Sequence, residues 1–251
     1  MDLGVNQHQL YDHLALVYDH LMSHVNYRQW ARYINTLIAM HHKKVSLIGD
    51  LSCGTGSLLP YLKRRRRYII GSDRSPGMLL QAKRKTTSLP VALLAADFRY
   101  PPFKSETLDV VVILYDSINY ILQDEYIGVV MNNIAGILKK NGLLIFDAIM
   151  PNVCRNIFND FRESQFFGND RGYERKAWYD EEKHLQYNEF RIYNNHRVFS
   201  ETHIQKIREM WEWRRQIEGS SMEIEAIYSD FTFRPVRKKT ERAHFVCKRR
   251  K

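Results

Sequence analysis

Val45-Ser-Leu-Ile-Gly-Asp50-Leu-Ser-Cys-Gly54-Thr-Gly56-Ser-Leu-Leu59 decides the fold. Residues 45–50 are a strand-length apolar run that ends on an acid, and a glycine-bearing turn follows. The spacing predicts a helix over 58–65, so the segment reads strand, turn, helix. Glycines in such a turn let the backbone approach a ligand, and the helix behind it offers free N–H groups. A dinucleotide fingerprint requires G-x-G-x-x-G, whereas Gly54-Thr-Gly56-Ser-Leu-Leu59 has no third glycine, which counts against a nicotinamide dehydrogenase. The chain also lacks a G-x-x-x-x-G-K-[ST] phosphate loop. Asp50 stands directly before the turn, where an acid suits a ligand with an ammonium group better than one with phosphates.

Outward from this unit the period repeats. Strands are predicted at 68–73, 90–95, 108–114 and 143–149. Helices are predicted at 76–85 and 124–138, the latter closing on Lys139-Lys-Asn-Gly142 with cations in its last turn. Alternating strands and helices from 45 to 150 imply an α/β, Rossmann-like, doubly wound parallel sheet. Before it, Tyr11, Leu14, Ala15, Tyr18, Leu21 and Met22 share one face of an amphipathic helix, and a second helix covers 27–40. After Pro151 the texture changes. Residues 174–200 alternate polar and aromatic positions, as antiparallel strands do, and 204–216 reads as a helix. Residues 222–233 and 243–248 read as a closing antiparallel pair. The organisation is therefore one domain over 1–251. N-terminal helices (1–44) cover a cofactor-binding core (45–150), a substrate-side β insert and helix follow (151–218), and closing strands end it (219–251).

Three further signals fall at strand ends. Asp73, 23 residues after Asp50, stands where Rossmann-like sheets hold ribose hydroxyls, with a helix N-cap for Pro76 onward as the lesser alternative. Asp97 and Phe98 follow the third strand, where an acid and a ring fit an adenine. Tyr115-Asp116-Ser117-Ile-Asn119-Tyr120 clusters polar groups after the fourth strand, which is costly unless a site uses them. Signals at the C-terminal edge of four successive strands are far more specific than any one alone.

On these residues the chain resembles the class I S-adenosylmethionine-dependent methyltransferases, whose first motif has the form D/E-x-G-x-G-x-G. It departs at Ser52, where the first glycine is usual. A small residue at that place is also familiar in the sugar-amine and glycine N-methyltransferases. The sequence is most similar to a bacterial subgroup of small-molecule methyltransferases. The matching stretches are Tyr18-Asp-His-Leu-Met22, Tyr27-Arg-Gln-Trp30, Asp116-Ser-Ile-Asn-Tyr120, Phe146-Asp147, Glu201-Thr-His203-Ile-Gln205 and Phe245-Val-Cys-Lys248. The resemblance implies a seven-stranded sheet with an antiparallel last strand and a small antiparallel β insert on the substrate side. It implies S-adenosyl-L-methionine as cofactor. Asp50, Ser52, Gly54 and Gly56 would face its methionine portion, Asp73 would hold its ribose and Asp97 with Phe98 its adenine, with Arg74 and Met78 also among the cofactor-binding residues. Tyr115 and Asp116 would lie near the sulfonium, with Tyr18 and Trp30 closing over it. Between Gln205 and Met222 the family continues into an apolar helix and a Gly-Phe turn. Here Ile207-Arg-Glu-Met-Trp-Glu-Trp-Arg-Arg-Gln216 is polar and the turn reads Glu218-Gly-Ser-Ser221, so the substrate side is this chain's own.

The expected reaction is direct displacement at a sulfonium methyl, in which the enzyme mainly aligns acceptor, methyl and sulfur. The acceptor is a small molecule methylated on nitrogen or oxygen. An amine need only arrive neutral, whereas an oxygen acceptor gains from a base. Acceptor-side candidates are Tyr11, Tyr18, Asn119, Tyr120, His196, Glu201, His203 and Gln205. Of these Tyr18, His203 and Tyr11 are the catalytic candidates, and Asn119, Tyr120, Glu201 and Gln205 the substrate-binding ones. If residues 201–205 are extended, Glu201, His203 and Gln205 point to one side, and the carboxylate orients or charges the imidazole. Trp211 and Trp213 are read as packing before they are read as a roof to the site.

Composition bounds the rest. The net charge of +10 concentrates in Lys63-Arg-Arg-Arg-Arg67 and in nine basic residues from Arg234 to Lys251 against one acid, Glu241. A solvated surface explains this charge, and an acidic acceptor is the sharper reading. An RNA or protein methyltransferase is the alternative, though no recognised RNA-binding module accompanies the charge. A non-enzymatic cofactor-binding scaffold is the third reading. No apolar run approaches the ~20 residues of a membrane span, and Met1-Asp-Leu-Gly4 opens no signal peptide. Three widely spaced cysteines predict neither disulfides nor a zinc site and fit the cytoplasm; no metal is expected.

Overall fold

A computed structural model describes residues 10–42, 44–168 and 170–250. Met1–Gly4 and Lys251, on which the leader and the last basic position were read, lie outside them.

The N-terminal segment leads through a short 3-10 turn (Leu14–Leu16) and the single-turn helix α1 (Tyr18–Leu21) to α2 (Tyr27–His41). The core then runs β1 (Leu47–Asp50), α3 (Leu59–Leu62), β2 (Tyr68–Asp73), α4 (Pro76–Thr86), β3 (Val91–Ala95), β4 (Leu108–Ile113), α5 (Glu125–Ile137) and β5 (Leu138–Ile149). Helix α6 (Pro151–Asn156) leads into β6 (Phe161–Phe167), β7 (Arg171–Asp180), β8 (Leu185–Asn194) and β9 (Arg197–Lys206). Helix α7 (Met210–Glu218) precedes β10 (Met222–Ser229) and β11 (Arg242–Arg249).

Seven strands form one sheet in the order β10-β11-β5-β4-β1-β2-β3, with β11 antiparallel to both its neighbours and the other strands parallel. The Rossmann-like α/β reading and the antiparallel last strand are thereby met. Every residue of β4 is buried, as a central strand covered on both faces must be. On one face α5 and α7 pack Ile134 and Trp213 against Phe146 and Phe245. On the other α2 and α3 pack Ile34, Leu37 and Leu59 against Ile48 and Val110. A second, four-stranded antiparallel sheet, β6-β7-β8-β9, is the expected insert. Its Tyr173, Phe190 and Ile192 pack on Leu14, Val17 and Leu21, so the insert and the N-terminal segment cover the strand ends together.

Three local readings are corrected. The N-terminal amphipathic helix is broken into the 3-10 turn Leu14–Leu16 and the single turn of α1, and Tyr11 takes φ +72°. The cause is the carboxylate of Glu201, which accepts from the backbone N–H groups of Tyr11, His13 and Leu14 and so replaces helical partners. Helix α5 stops at Ile137 with no cation in its last turn. Residues 139–142 instead bulge out of β5, since Leu108 pairs with Leu138 but Val110 with Leu143, and Asn141 takes φ +63°. The helix read at 204–216 begins at Met210, because Ile204–Lys206 pair with β8 and a capping box of Glu209 and Glu212 sets the start. Strand β6 and helix α6 carry no strong pattern and were not anticipated.

Candidate active site

Two cavities open at the C-terminal edge of the parallel strands. The lower holds about 1080 Å³ of empty space, open mouth included, and is lined by Asp50, Ser52, Gly54, Asp73, Arg74, Met78, Asp97 and Phe98. The upper holds about 1430 Å³ under the insert and is lined by Trp30, Asp116, Arg175, His203, Gln205 and Arg242, among others. Tyr11, Tyr18, Tyr115 and Tyr120 line both and form the boundary between them.

In the lower cavity the turn after β1 is shaped by two left-handed glycines with different tasks. Gly54 (φ +53°) faces open space, since an added Cβ would come no nearer than 4.0 Å to Tyr18. Gly56 (φ +74°) does not line the cavity, and an added Cβ would meet the Ala82 Cβ at 3.0 Å and its Cα at 3.2 Å. Its glycine lets α4 pack against the turn. Ser52, standing where the family usually has glycine, accepts from the Leu114 backbone N–H at 3.1 Å and ties β1 to the end of β4. Asp73 accepts from Gly54 N at 2.8 Å and Ser75 N at 2.9 Å, while Ser75 Oγ caps α4 through Met78 N. Asp73 thus does not itself cap the helix. Asp97 is gripped by the Arg99 guanidinium, with Nη2 to Oδ2 at 2.6 Å. Burial raises its pKa, but the Arg99 hydrogen bonds outweigh this and hold it below the ordinary range.

Asp50 is different. It is 2% exposed and, among the described residues, accepts only a long hydrogen bond, from Ser52 N at 3.3 Å. Burial pushes its pKa up to about 7, against a small lowering by that bond. A buried, almost unpartnered carboxylate is costly until a cation meets it.

At the boundary Tyr115 and Asp116 both take left-handed φ, +56° and +49°, a strained pair of the kind that clusters at functional sites. The Tyr115 ring lies 4.2 Å from Trp30, centroid to centroid, and its buried hydroxyl has no partner among the described residues. Trp30 itself lines the upper cavity and not the lower. Asp116 accepts from Gln205 Nε2 at 2.6 Å and from Arg242 Nη1 at 2.8 Å. The same guanidinium nitrogen bonds the fully buried Asp147.

The three residues of β9 do share one side. His203 Nε2 lies 3.0 Å from Glu201 Oε2, and its Nδ1 lies 3.0 Å from the Tyr120 hydroxyl. Tyr120 in turn lies 2.5 Å from the Tyr11 hydroxyl. Glu201 lines neither cavity. Asn119 is fully buried and outside both, donating to Lys206 O, so it fastens the turn after β4 to the insert. His196 sits in the exposed β8–β9 turn beside Asp170, away from both cavities. Trp213 is core, and Trp211 is on the surface.

Among the contributors that the sequence does not point to are two arginines from the later part of the chain. Arg242 belonged to the basic C-terminal stretch and was read as surface charge. Arg175, in the insert, bonds Asn188 in the upper cavity's wall and also Glu163, which lines neither cavity. Neither had a local signal, because their partners are distant in sequence or in another strand.

Residues 48–142 match the family of methyltransferase domains. The match spans strands β1 to β4, α5 and the start of β5, the elements that build the lower cavity. Residues 48–142 are thus a methyltransferase domain, and the seven-stranded sheet and the insert around it give the chain the fold of class I S-adenosylmethionine-dependent methyltransferases. A relative in Bacillus subtilis (strain 168), YqeM, whose methyltransferase designation is provisional, is 28% identical over 249 residues, covering 96% of this chain and 98% of its own. The fold is shared with an S-adenosylmethionine-dependent methyltransferase from Clostridium acetobutylicum ATCC 824 (TM-score 0.80, 21% identity, 96% of this chain and 99% of that one). It is also shared with the amino pentose methyltransferase CalS10 of Micromonospora echinaspora (TM-score 0.70, 19% identity, 93% and 96%).

The lower cavity fits that cofactor on its own chemistry. The under-partnered Asp50 matches a cationic group, the uncovered Gly54 leaves room beside it, and Asp73 keeps lone pairs for hydroxyls.

Proposed function

We propose that the chain methylates nitrogen or oxygen of a small-molecule acceptor held in the upper cavity, with the methyl donor in the lower one. The observation that carries this is the ring of four tyrosines, Tyr11, Tyr18, Tyr115 and Tyr120, common to both cavities. Donor and acceptor have separate compartments that meet only there. The small-molecule acceptor of CalS10 supports the same reading.

S-adenosylmethionine, when bound, supplies an electrophilic methyl on a sulfonium, ready for direct displacement. The protein's share is alignment. Asp50 would hold the ammonium group and Asp73 the ribose, while Met78 and Phe98 would give the adenine apolar flanks, with Asp97 at its edge. Tyr18 and Tyr115 border the methyl's path, and the uncharged ring faces suit a cation. Their phenols do not serve as resting phenolates, since burial raises both pKa values. The described parts of the sequence regions divide the labour accordingly: the N-terminal segment, through Tyr11 and Tyr18, borders both compartments, the insert encloses the acceptor, the core after residue 45 holds the donor, and the last strands close the sheet and deliver Arg242. The three free, buried cysteines suit a reducing cytoplasm, and among the described residues no helix is long and apolar enough to cross a membrane.

Calorimetry with S-adenosylmethionine and S-adenosylhomocysteine tests the donor compartment, and absence of binding by both overturns the reading. Binding of an RNA oligonucleotide that persists at physiological salt would move the acceptor to nucleic acid.

A further inference from the structure

One hydrogen-bond chain beside the upper cavity takes one direction when its imidazole is neutral. Its buried end is Glu201, which accepts from His13 N at 2.8 Å and Leu14 N at 3.1 Å through Oε1, and from Tyr11 N at 2.8 Å through Oε2. His203 Nε2 also meets Oε2, at 3.0 Å. A carboxylate with three backbone donors stays ionised; burial raises its pKa, but the bonds from His203 and the backbone outweigh this. An ionised Glu201 has no proton to give, so His203 Nε2 carries the hydrogen, and burial, which lowers the His203 pKa, keeps the imidazole neutral with a lone pair on Nδ1. Tyr120 Oη, 3.0 Å from Nδ1, must then be the donor. Its one hydrogen is spent there, so across the 2.5 Å contact Tyr11 donates to Tyr120. Tyr11 Oη is left with lone pairs only, and Tyr11 lines both cavities. The open end of the chain accepts protons.

Resting on the acceptor reading of the upper cavity, we propose that Tyr11, Tyr120, His203 and Glu201 form a one-way proton relay serving a hydroxyl acceptor. A neutral amine needs no such relay, because after methylation its nitrogen is a weaker acid than imidazolium and keeps its hydrogens. A hydroxyl oxygen turns from a very weak acid into a very strong one as its bond to the methyl forms, so a base in line is used at that moment. The acceptor's O–H bond breaks and its electron pair stays on the oxygen. That proton passes to Tyr11 Oη, the Tyr11 proton to Tyr120 Oη, and the Tyr120 proton to His203 Nδ1. Both phenols end as they began, and the imidazolium rests against Glu201 until it returns the proton to solvent after product leaves. Tyr11 is the catalytic residue, and Tyr120, His203 and Glu201 act through it.

The surroundings of His203 suit a base that rests neutral. Tyr11, Tyr120 and Phe190 rings face it edge-on at 4.5, 6.0 and 5.3 Å between centroids. Burial lowers its pKa, Glu201 raises it, and the Arg175 and Arg74 charges lower it further.

The test is 15N NMR of the His203 ring in the full-length protein, with cyclohexanol and cyclohexylamine as matched probes. Wild type should show Nε2 protonated and Nδ1 bare and hydrogen-bonded; Tyr120→Phe should keep that tautomer and shift Nδ1 to the position of an unbonded nitrogen. Saturating cyclohexanol should move Nδ1 in wild type and leave it unmoved in Tyr120→Phe and in Tyr11→Phe, two variants that each lose one oxygen. A resting Nδ1–H tautomer reverses the chain and overturns the relay alone. An equal or larger response to cyclohexylamine overturns the hydroxyl assignment. No response to either probe, with the expected tautomer, overturns the acceptor reading of the cavity and the relay with it.

Discussion

The backbone N–H of Gly54 donates to the Asp73 carboxylate at 2.8 Å, so the turn after β1 is held in place by the acid that ends β2. Asp73 therefore shapes the glycine turn, and in the proposed function its remaining lone pairs meet the cofactor. Asp73→Ala should lose at least one charge-assisted hydrogen bond to ligand, about 1.5–3 kcal/mol, and weaken S-adenosylhomocysteine binding roughly 10- to 150-fold at 1.4 kcal/mol per decade. Calorimetry decides, and an affinity within twofold of wild type would remove Asp73 from the ligand site.

The two glycines of the turn should separate binding from folding. Gly54→Ala puts a methyl into open cavity space, whereas Gly56→Ala drives one against Ala82 of α4. Both pay about 1–2 kcal/mol for left-handed φ, but only Gly56→Ala adds the clash. Gly54→Ala should lose ligand with a small drop in Tm, and Gly56→Ala should lose more Tm. The reverse order, read by thermal melts with and without S-adenosylhomocysteine, would sink the assignment.

Asp50 makes ligand binding and stability pH-dependent. Its folded pKa of about 7 lies above the unfolded value of roughly 3.9. Its contribution to stability is thus complete below pH ~4 and is lost as pH rises through 7. A cationic ligand favours the carboxylate, so binding at pH 6.5 should release a proton. Calorimetry in phosphate and in Tris, which differ in ionisation enthalpy, should give different observed enthalpies for wild type and equal ones for Asp50→Asn. Equal enthalpies for wild type would refute the coupling.

The legible parts of this chain are those whose causes are local. Leu108–Ile113 is apolar at all but Asp109, and a strand buried on both faces needs nothing else. The four strand-end signals were readable because a parallel sheet sends every such end to one edge. The N-terminal segment was misread because Glu201, 190 residues from Tyr11, supplies the partner its backbone would otherwise seek in a helix. Arg242 was hidden for the same reason. Its partners Asp116 and Asp147 lie 126 and 95 residues away, so its sequence neighbours gave it only the look of a basic surface. The relay is the sharpest case, since Tyr11, Tyr120 and His203 come from three separate elements.

Arg242 carries the last prediction. Its guanidinium neutralises Asp147, which has no exposed side-chain surface, and Asp116, which has 20%. Removing one partner of a buried pair costs about 3–5 kcal/mol, mainly because the other charge stays buried alone. Arg242→Met should therefore destabilise by about that much, and adding Asp147→Asn should recover a large part, since the orphaned charge is gone. Acid should act in the same direction. Burial already raises the Asp147 pKa to about 6, against the pull of Arg242, and without the guanidinium it should rise further. The Arg242→Met variant should then gain stability relative to wild type as pH falls from 8 to 5. Urea unfolding across that range, with the Arg242→Met, Asp147→Asn double variant as control, measures it. An Arg242→Met deficit that is independent of pH and untouched by Asp147→Asn would mean that Arg242 acts by packing on Trp30, whose ring centroid lies 5.7 Å from its guanidinium carbon, and not by charge.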